Sequence, residues 1–299
     1  MVNIILDTDI SSDCDDVAAI ALLNYFKNRN HAEILAITDC VNMHHGVSCI
    51  DAICRYYGNP NVEIGSYRGE NKIAAHSTYV EAVCKEFPHR PLDKSGVPEA
   101  YRLMRAKLAT HSGVKLVCIG FLNNVALLSE SPPDEISPLS GAELIRRSVD
   151  EIVVMGGMIG DKAYGAYDRE FNIVGDIAAA QKVFSFDGVN ITVIEYELGY
   201  KVEAFENTVR SQKHNPVQTA FRCFGVEKRE SWDPITVLYS VLGTGDLYDF
   251  SDWGTLKVQD DGKTEFTKDG KGNVRYLIEK VPKEQIVRRL NAFDLERAP

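Results

Sequence analysis

Five aspartates lie within ten residues near the start of the chain, at Asp7, Asp9, Asp13, Asp15 and Asp16. Carboxylates so close together repel one another, and the repulsion raises their pKa values unless a cation lies among them. A hard divalent cation such as Ca²⁺ or Mg²⁺ neutralises such a group because it prefers carboxylate and carbonyl oxygens as ligands. One aspartate alone would do no more than favour the N-terminus of a helix. Five therefore predict a metal site.

An Asp-x-Asp pattern directly after an apolar segment is compatible with two reactions. In the first, Asp7 is a nucleophile that accepts a phosphoryl group and Asp9 is its acid–base partner, which resembles the haloacid dehalogenase-type arrangement. In the second, the carboxylates hold a metal ion with a bound water, and one of them accepts the proton of that water. The first reaction needs a later lysine and an acidic metal motif at strand ends, and the sequence offers no convincing pair. The second is therefore favoured.

Short apolar segments alternate with amphipathic ones along most of the chain, which predicts an α/β fold with an open, mainly parallel sheet flanked by helices. The acidic cluster follows the first predicted strand, at the end where such sheets bind ligands. Near the C-terminus, β-rich segments separated by Asp-Gly turns predict a small antiparallel hairpin extension. We expect a single domain over residues 1–299. The predicted strands are 3–6, 32–38, 115–119, 151–155 and 190–194, the helices 16–26, 47–57, 98–110 and 282–291, and the extension 253–258, 263–267 and 274–278.

Composition excludes several classes of protein. The 299 residues include 33 Lys plus Arg against 43 Asp plus Glu, for a net charge of −10. Because no basic surface is left over to neutralise phosphates, we expect no nucleic-acid partner. No apolar stretch approaches the roughly 20 residues of a membrane helix, so we expect no membrane partner. The start does not look like a signal peptide, and the seven cysteines include no Cys-x-x-Cys pair. We therefore expect reduced thiols and a cytoplasmic location.

Further motifs occur in an order that resembles the inosine-uridine preferring nucleoside hydrolase family. Each is weak alone, but the combination is highly specific and spans essentially the whole chain. The resemblance implies that family's fold and the hydrolysis of the N-glycosidic bond of a ribonucleoside to ribose and a free base. The motifs are the aspartate-rich loop ending in Asp15-Asp16, Val41-Asn42, the IGFLNN segment at 119–124, the VMGG segment at 154–157, the EFN segment at 170–172 and the SWDP segment at 231–234.

The resemblance also implies a Ca²⁺ centre built from residues that are far apart in the sequence. Asp9 corresponds to the general base and a metal ligand, Asp16 to a bidentate ligand and Asp233 to a distant ligand, while Ile119 would contribute its backbone carbonyl. A calcium-bound water would attack the sugar directly as Asp9 accepts its proton, without a covalent intermediate. Positive charge develops on the sugar as the bond breaks, so surrounding carboxylates suit this reaction. Asp7 is expected to orient the loop.

Substrate-binding roles follow from the same resemblance. Asp15, Asn42, Glu170 and Asn172 correspond to residues that hold the ribose hydroxyls. Trp232 stands where many relatives have a histidine that protonates the leaving base, and a tryptophan there is similar to the purine-preferring branch, in which stacking eases departure of the base. The alternative for this residue is a core position beside a helix start. The small-molecule substrate implied is a purine nucleoside, and the assembly implied is a homodimer or homotetramer.

Departures from the family pattern leave alternatives open. The first loop is longer than in many relatives, so Asp13 is an alternative metal ligand. The loop before Glu170 lacks the usual Gly-Asn element and offers Tyr164 and Tyr167, which are candidates to close over the sugar or the base. Because the family's histidine is missing, a catalytically silent member that binds a ribosyl ligand or a metal is the main alternative. A phosphohydrolase with Asp7 as nucleophile is less favoured.

Overall fold

The computed structural model describes residues 1–159 and 167–296. Within this part of the chain the helices and strands alternate as predicted. The strands are β1 (Val2–Thr8), β2 (Ala32–Asp39), β3 (Ile64–Ser66), β4 (Val114–Ile119), β5 (Val149–Met155), β6 (Asn190–Ile194), β7 (Glu203–Ala204), β8 (Arg229–Glu230), β9 (Tyr248–Phe250), β10 (Thr255–Val258), β11 (Thr264–Thr267) and β12 (Val274–Glu279). The helices are α1 (Asp15–Lys27), α2 (Gly46–Tyr56), α3 (Val80–Glu86), α4 (Ala100–Thr110), α5 (Asn123–Glu130), α6 (Gly141–Ser148), α7 (Phe171–Gly175), α8 (Ile177–Phe184), α9 (Tyr196–Gly199), α10 (Glu206–Arg210), α11 (Pro216–Phe224), α12 (Trp232–Leu242) and α13 (Lys283–Asn291).

The central sheet has eight described strands in the order β3-β2-β1-β4-β5-β6-β12-β9. Its pairs are parallel except for β12 with β9, which is antiparallel. The predicted α/β fold with a mainly parallel sheet is confirmed. The chain moves outward from β1 through β2 to β3, then returns to place β4 on the other side of β1. The gap between β1 and β4 is therefore a point where the strand order reverses, and such points are where open sheets bind ligands.

The C-terminal extension differs in one respect from its prediction. Strands β10 and β11 form the expected antiparallel hairpin. Strand β12 instead joins the central sheet, parallel to β6 and antiparallel to β9. The place of such a strand in a sheet depends on pairing with distant segments. The alternation of polar and apolar residues predicts a strand but does not predict which strand it pairs with.

Helices cover both faces of the central sheet. Successive side chains of β1 point to opposite faces, so Ile4 and Leu6 join one buried apolar cluster and Ile5 joins the other. Helix α1 is buried nearly all round because it packs on the sheet at β2 and is surrounded by α2, α11 and α12, with the most extensive packing against α12. The first turns of α1 and α12 consequently lie side by side. In the described residues no helix combines the length and the apolar character that crossing a membrane requires.

Candidate functional site

A cavity of about 500 Å³ opens at the carboxyl ends of the central strands. Its walls come from the loop after β1, the ends of β4 and β5, the segment around α7, the start of α9 and the β8–α12 junction. The volume lies within the range of ordinary small-molecule sites. Ten residues singled out from the sequence line it: Asp9, Asp13, Asp15, Asp16, Ile119, Tyr167, Glu170, Asn172, Trp232 and Asp233.

Three buried carboxylates meet at the bottom of this cavity. One oxygen from each of Asp15, Asp16 and Asp233 lies within 4.8 Å of the others. The backbone nitrogen of Asp233 donates to Asp15 Oδ2 at 3.1 Å, and the Thr8 hydroxyl donates to Asp16 Oδ1. Because each carboxylate lies in the first turn of a helix, the positive ends of two helix dipoles stabilise the three negative charges. The N-termini of α1 and α12 thus hold one acidic cluster between them.

Burial and mutual repulsion dominate the electrostatics of this cluster. Burial raises the pKa of Asp16 well above its usual range, and the neighbouring charges of Asp9 and Asp15 raise it further. The pKa of Asp233 is raised for the same reasons, with burial again first and Asp15 and Asp16 next. Carboxylates in this situation are stabilised by a cation, and a set of hard oxygen donors fits a divalent ion such as Ca²⁺. The donor set therefore suits the predicted metal.

The structure groups the aspartates differently from the prediction. Asp16 and Asp233 were expected as metal ligands and they do meet, but the third carboxylate beside them is Asp15, which was expected to bind the sugar. Asp9 lines the same cavity, and burial raises its pKa to about 7, with the charges of Glu170 and Asp13 raising it as well.

Asp7 lies beneath the cavity and does not line it. Its side chain points away from α1, to the face of the sheet that α5 covers. There Asp7 Oδ1 accepts hydrogen bonds from Thr38 Oγ1 at 2.6 Å and from Asn124 Nδ2 at 2.9 Å. Burial raises the pKa of Asp7 to about 7. The carboxylate joins β1, β2 and the start of α5, and its role in orienting the loop stays a prediction. A nucleophile would have to reach the cavity, so this placement disfavours the phosphohydrolase.

Asp13 is engaged by a cation of the protein itself. Arg229 Nε donates to Asp13 Oδ1 at 2.9 Å, and Arg229 Nη2 donates to Asp13 Oδ2 at 2.6 Å. This paired contact joins the loop after β1 to β8, across 216 positions of sequence. Because its carboxylate is committed to a guanidinium, Asp13 is less available as a metal ligand than the other aspartates.

Trp232 is both a core residue and a wall of the cavity. Its side chain is nearly buried, and its indole Nε1 donates to the Tyr196 carbonyl at 2.7 Å. The rings of Tyr196 and Trp232 stack with their centroids 5.2 Å apart, and the Arg229 guanidinium carbon lies 5.2 Å from the Trp232 centroid. The backbone of Gly199 packs so closely on the indole that a Cβ there would overlap it. Only part of the π surface of Trp232 is thus open to a ligand.

Glu170 and Asn172 are held by hydrogen bonds at the N-terminus of α7. Glu170 caps this helix: its carboxylate accepts from the backbone nitrogens of Asn172 at 2.8 Å, Ile173 at 3.0 Å and Gly157 at 3.1 Å. Burial nonetheless raises its pKa to about 7. Asn172 Nδ2 donates to the Met155 carbonyl at 3.2 Å. Both side chains line the cavity in orientations fixed by these hydrogen bonds.

The remaining residues singled out from the sequence differ in their relation to the cavity. Asn42 does not line it; its backbone nitrogen donates to Asn71 Oδ1 at 2.7 Å, and its side chain contacts the Gly69 carbonyl and Lys94. Tyr167 lines the cavity but is 66% exposed. Tyr164 lies outside the described residues.

Among the cavity residues without a role in the sequence analysis, Arg229 and Tyr196 make the contacts that matter most to the walls. Arg229 comes three positions before Trp232, in a segment without recognisable spacing, and its relevance appears only with its contact to Asp13. Tyr196 follows the end of β6, where the chain leaves the strand and enters α9. The change of element there prevents a period-two pattern from predicting where side chains point.

Comparisons with known proteins agree with the geometry. A family model described as inosine-uridine preferring nucleoside hydrolase matches residues 4–288. The fold is similar to that of a purine-preferring ribonucleoside hydrolase from Gardnerella vaginalis, with 18% identity, a TM-score of 0.75 and coverage of 99% of this chain and 98% of that one. It is also similar to an inosine-uridine preferring nucleoside hydrolase from Bacillus anthracis, with 17% identity, a TM-score of 0.72 and coverage of 97% and 99%.

A third similar structure is the type III effector protein XopQ complexed with adenosine diphosphate ribose. It is 17% identical, has a TM-score of 0.70 and is aligned over 100% of this chain and 93% of that one. The search of curated protein sequences finds no match. At these identities the structural similarities show the fold alone.

Proposed function

Because this chain belongs to the inosine-uridine preferring nucleoside hydrolase family, a family of hydrolases of N-glycosyl bonds, we propose that it cleaves the bond between ribose and base in a ribonucleoside, with purine nucleosides preferred. The observation that carries the proposal is the meeting of Asp15 and Asp16 with Asp233 at the bottom of a cavity of ligand size. Aromatic and amide side chains on its walls suit a base and a sugar.

The acidic cluster would hold a divalent cation, with Ca²⁺ as the proposed ion. Asp9, Asp16 and Asp233 are the assigned ligands, together with the backbone carbonyl of Ile119 at the end of β4. Asp15 lies close enough to share the ion, and Asp9 lies in the same cavity. When bound, the cation supplies a positive charge that orients a water molecule and lowers its pKa. Calcium titrations of the variants Asp9→Asn and Asp15→Asn will show which of these two carboxylates is a ligand of the ion.

The side chains have three roles in the reaction. Asp9 accepts the proton of the attacking water: it lines the cavity outside the group formed by Asp15, Asp16 and Asp233. The remaining carboxylates outside that group are engaged, Asp13 and Glu230 by Arg229, and Glu170 by backbone nitrogens. The other carboxylates stabilise the positive charge that spreads over the sugar ring as the bond breaks. Glu170 and Asn172, fixed by their backbone contacts, orient the sugar. Water attacks directly, and no sugar becomes attached to the protein.

The test is release of reducing sugar from inosine, guanosine, adenosine and uridine by the purified protein with added calcium. Asp9→Asn preserves shape and removes the base, so turnover should fall by at least roughly 100-fold, the lower end for acid–base groups. Asp150→Asn is the matched control because Asp150 is exposed at the start of β5, away from the cavity. Near-normal turnover by the Asp9 variant would remove Asp9 from this role.

A second function is favoured by one observation. In the described part of the chain no histidine lines the cavity, and the position of the family's acid is occupied by Trp232. A member without a leaving-group acid could bind a ribosyl ligand and leave it intact. Bound calcium without turnover of any of the four nucleosides would favour this alternative.

A further inference from the structure

Arg229 is a cation on the wall of the cavity, and the proposed reaction gives it no role. Its guanidinium is held from two sides: Nε and Nη2 donate to the carboxylate of Asp13, and Nη1 donates to Glu230 Oε2 at 2.6 Å. It also lies over the rings of Trp232 and Phe224, at 5.2 and 5.4 Å from their centroids. The orientation of the group is therefore fixed before any ligand arrives, which lowers the entropy that binding costs.

The contacts of Arg229 do not use all of its donors. A guanidinium carries five N–H bonds. The contacts with Asp13 and Glu230 occupy one on Nε, one on Nη2 and one on Nη1. Among the described residues nothing else accepts from this side chain, so Nη1 and Nη2 each keep one N–H. About a quarter of the side chain is exposed, and it lines the cavity. Nη1 and Nη2 can thus each donate one hydrogen bond to a ligand.

We propose that Arg229 reads the leaving base and makes a 6-oxopurine ribonucleoside the preferred substrate, an inference that rests on the proposed function. A 6-oxopurine presents O6 and N7 as adjacent acceptors, which match two N–H bonds of one guanidinium. Adenine places an amino donor beside N7, and a pyrimidine has no N7, so neither can accept both bonds. The stacked rings of Tyr196 and Trp232 stand beside Arg229 and give the purine an aromatic wall.

The same contact stabilises the departing base. When the bond from C1′ to the base nitrogen breaks, its electron pair goes to the base, and the hydroxyl of the attacking water joins C1′. The base then takes up a proton from solvent. A guanidinium does not give up its own proton near neutral pH, so Arg229 stabilises the negative charge through hydrogen bonds and is not an acid. This role does not require the histidine that the chain lacks.

The test compares kcat/KM for inosine and for adenosine in the wild-type protein, Arg229→Met, Arg229→Lys and Asp13→Asn. Wild-type protein should prefer inosine by roughly 10- to 100-fold, the discrimination of a good bidentate contact. Arg229→Met should bring the ratio close to one, and Arg229→Lys, which keeps the charge and loses the paired donors, should give an intermediate ratio. Asp13→Asn keeps one acceptor for the guanidinium and loses the other, so it should weaken the preference for inosine less than Arg229→Met does.

Three results would overturn the inference: no preference in the wild-type protein, an equal loss for both substrates in Arg229→Met, or the same loss of preference in Asp13→Asn as in Arg229→Met. Calorimetric binding of hypoxanthine and adenine separates this inference from the proposed function. If no nucleoside is cleaved but hypoxanthine binds more tightly than adenine, and only with Arg229 present, the reaction is wrong and the role of Arg229 stands. If nucleosides are cleaved and the two bases bind equally, the proposed reaction stands and the role of Arg229 is wrong.

Discussion

Replacing Gly120 by alanine should damage catalysis more than stability. Gly120 follows β4 and packs directly under the loop after β1. A Cβ added there would lie 2.6 Å from the backbone nitrogen of Asp9, 2.8 Å from Asp9 Cβ and 2.7 Å from Cys40 Sγ. A backbone nitrogen cannot rotate away as a long side chain can. The methyl group therefore has to displace Asp9, the residue assigned as general base.

The size of the effect follows from these distances. Ordinary van der Waals contact begins at 3.4 Å, so Asp9 or Gly120 has to move by about 0.8 Å. A misplacement of about 1 Å near reacting atoms costs about 100-fold in rate, whereas overpacking of this kind costs about 1–3 kcal/mol of unfolding free energy. We expect kcat/KM to fall by roughly 30- to 100-fold, while the variant stays folded.

The assay is reducing-sugar release at saturating calcium, with urea unfolding followed by circular dichroism as the stability measurement. Gly96→Ala is the matched control, because a Cβ at Gly96 finds its nearest neighbour, the Asp93 carbonyl, at 3.6 Å. It should change neither activity nor stability. If Gly120→Ala turns over nucleosides at the wild-type rate, Asp9 is either not displaced or not the base.

Three further predictions concern stability, the metal and the aromatic wall. Burial alone would raise the pKa of Glu151, but the charge of Lys115 and the hydrogen bonds from Thr192 and Tyr239 together outweigh burial, so the pKa lies below the ordinary 4.5. The stabilising effect of Glu151 is therefore present above pH 4.5 and lost as the pH falls further. Glu151→Gln should therefore cost about 2–4 kcal/mol of unfolding free energy at pH 7 and clearly less at pH 3; equal losses at both pH values would contradict this. Calcium at 100 times its Kd should stabilise the wild-type protein by about 2.7 kcal/mol, and Asp233→Asn should lose most of the accompanying rise in Tm; an undiminished rise would show that the cation binds elsewhere. Gly199→Ala should push the indole of Trp232, alter the tryptophan fluorescence and raise KM for purine nucleosides, with a loss of about 1–3 kcal/mol of stability; unchanged fluorescence and KM would show that the indole has room to move.

The parts of the fold that the sequence predicts are those with strong local signals. The buried strands of the sheet centre read as short apolar runs, and α1, α2 and α4 have apolar residues at helical spacing, so their positions agree with the structure within a few residues. Strands β3 and β9 have three residues each and no such signal. The placement of β12 depends on pairing with β6, some eighty positions earlier, which no local pattern can encode. A single domain over the whole chain stays a prediction.

The candidate site divides in the same way. The early aspartates and Asp233 stand out in the sequence by charge density and by motif. The structure brings all of them except Asp7 to one cavity. The contact of Asp13 with Arg229 joins positions 216 apart, so only the fold reveals it. Asn42 follows β2 as expected, but its hydrogen bonds to the neighbouring loop keep it from the cavity. A motif predicts that a residue lies at the end of a strand. It does not predict the direction of the side chain, which depends on the surrounding loops.

The contact between Asp15 and the backbone of Asp233 spans 218 positions of the sequence. During synthesis at the ribosome, the first half of this pair emerges long before the second, and the cluster cannot close until α12 has been made and has docked. Long-range contacts of this kind form late in folding. Calcium affinity would then serve as a reporter of completed folding, since fragments that end before α12 carry the early aspartates but not the partner that closes the site.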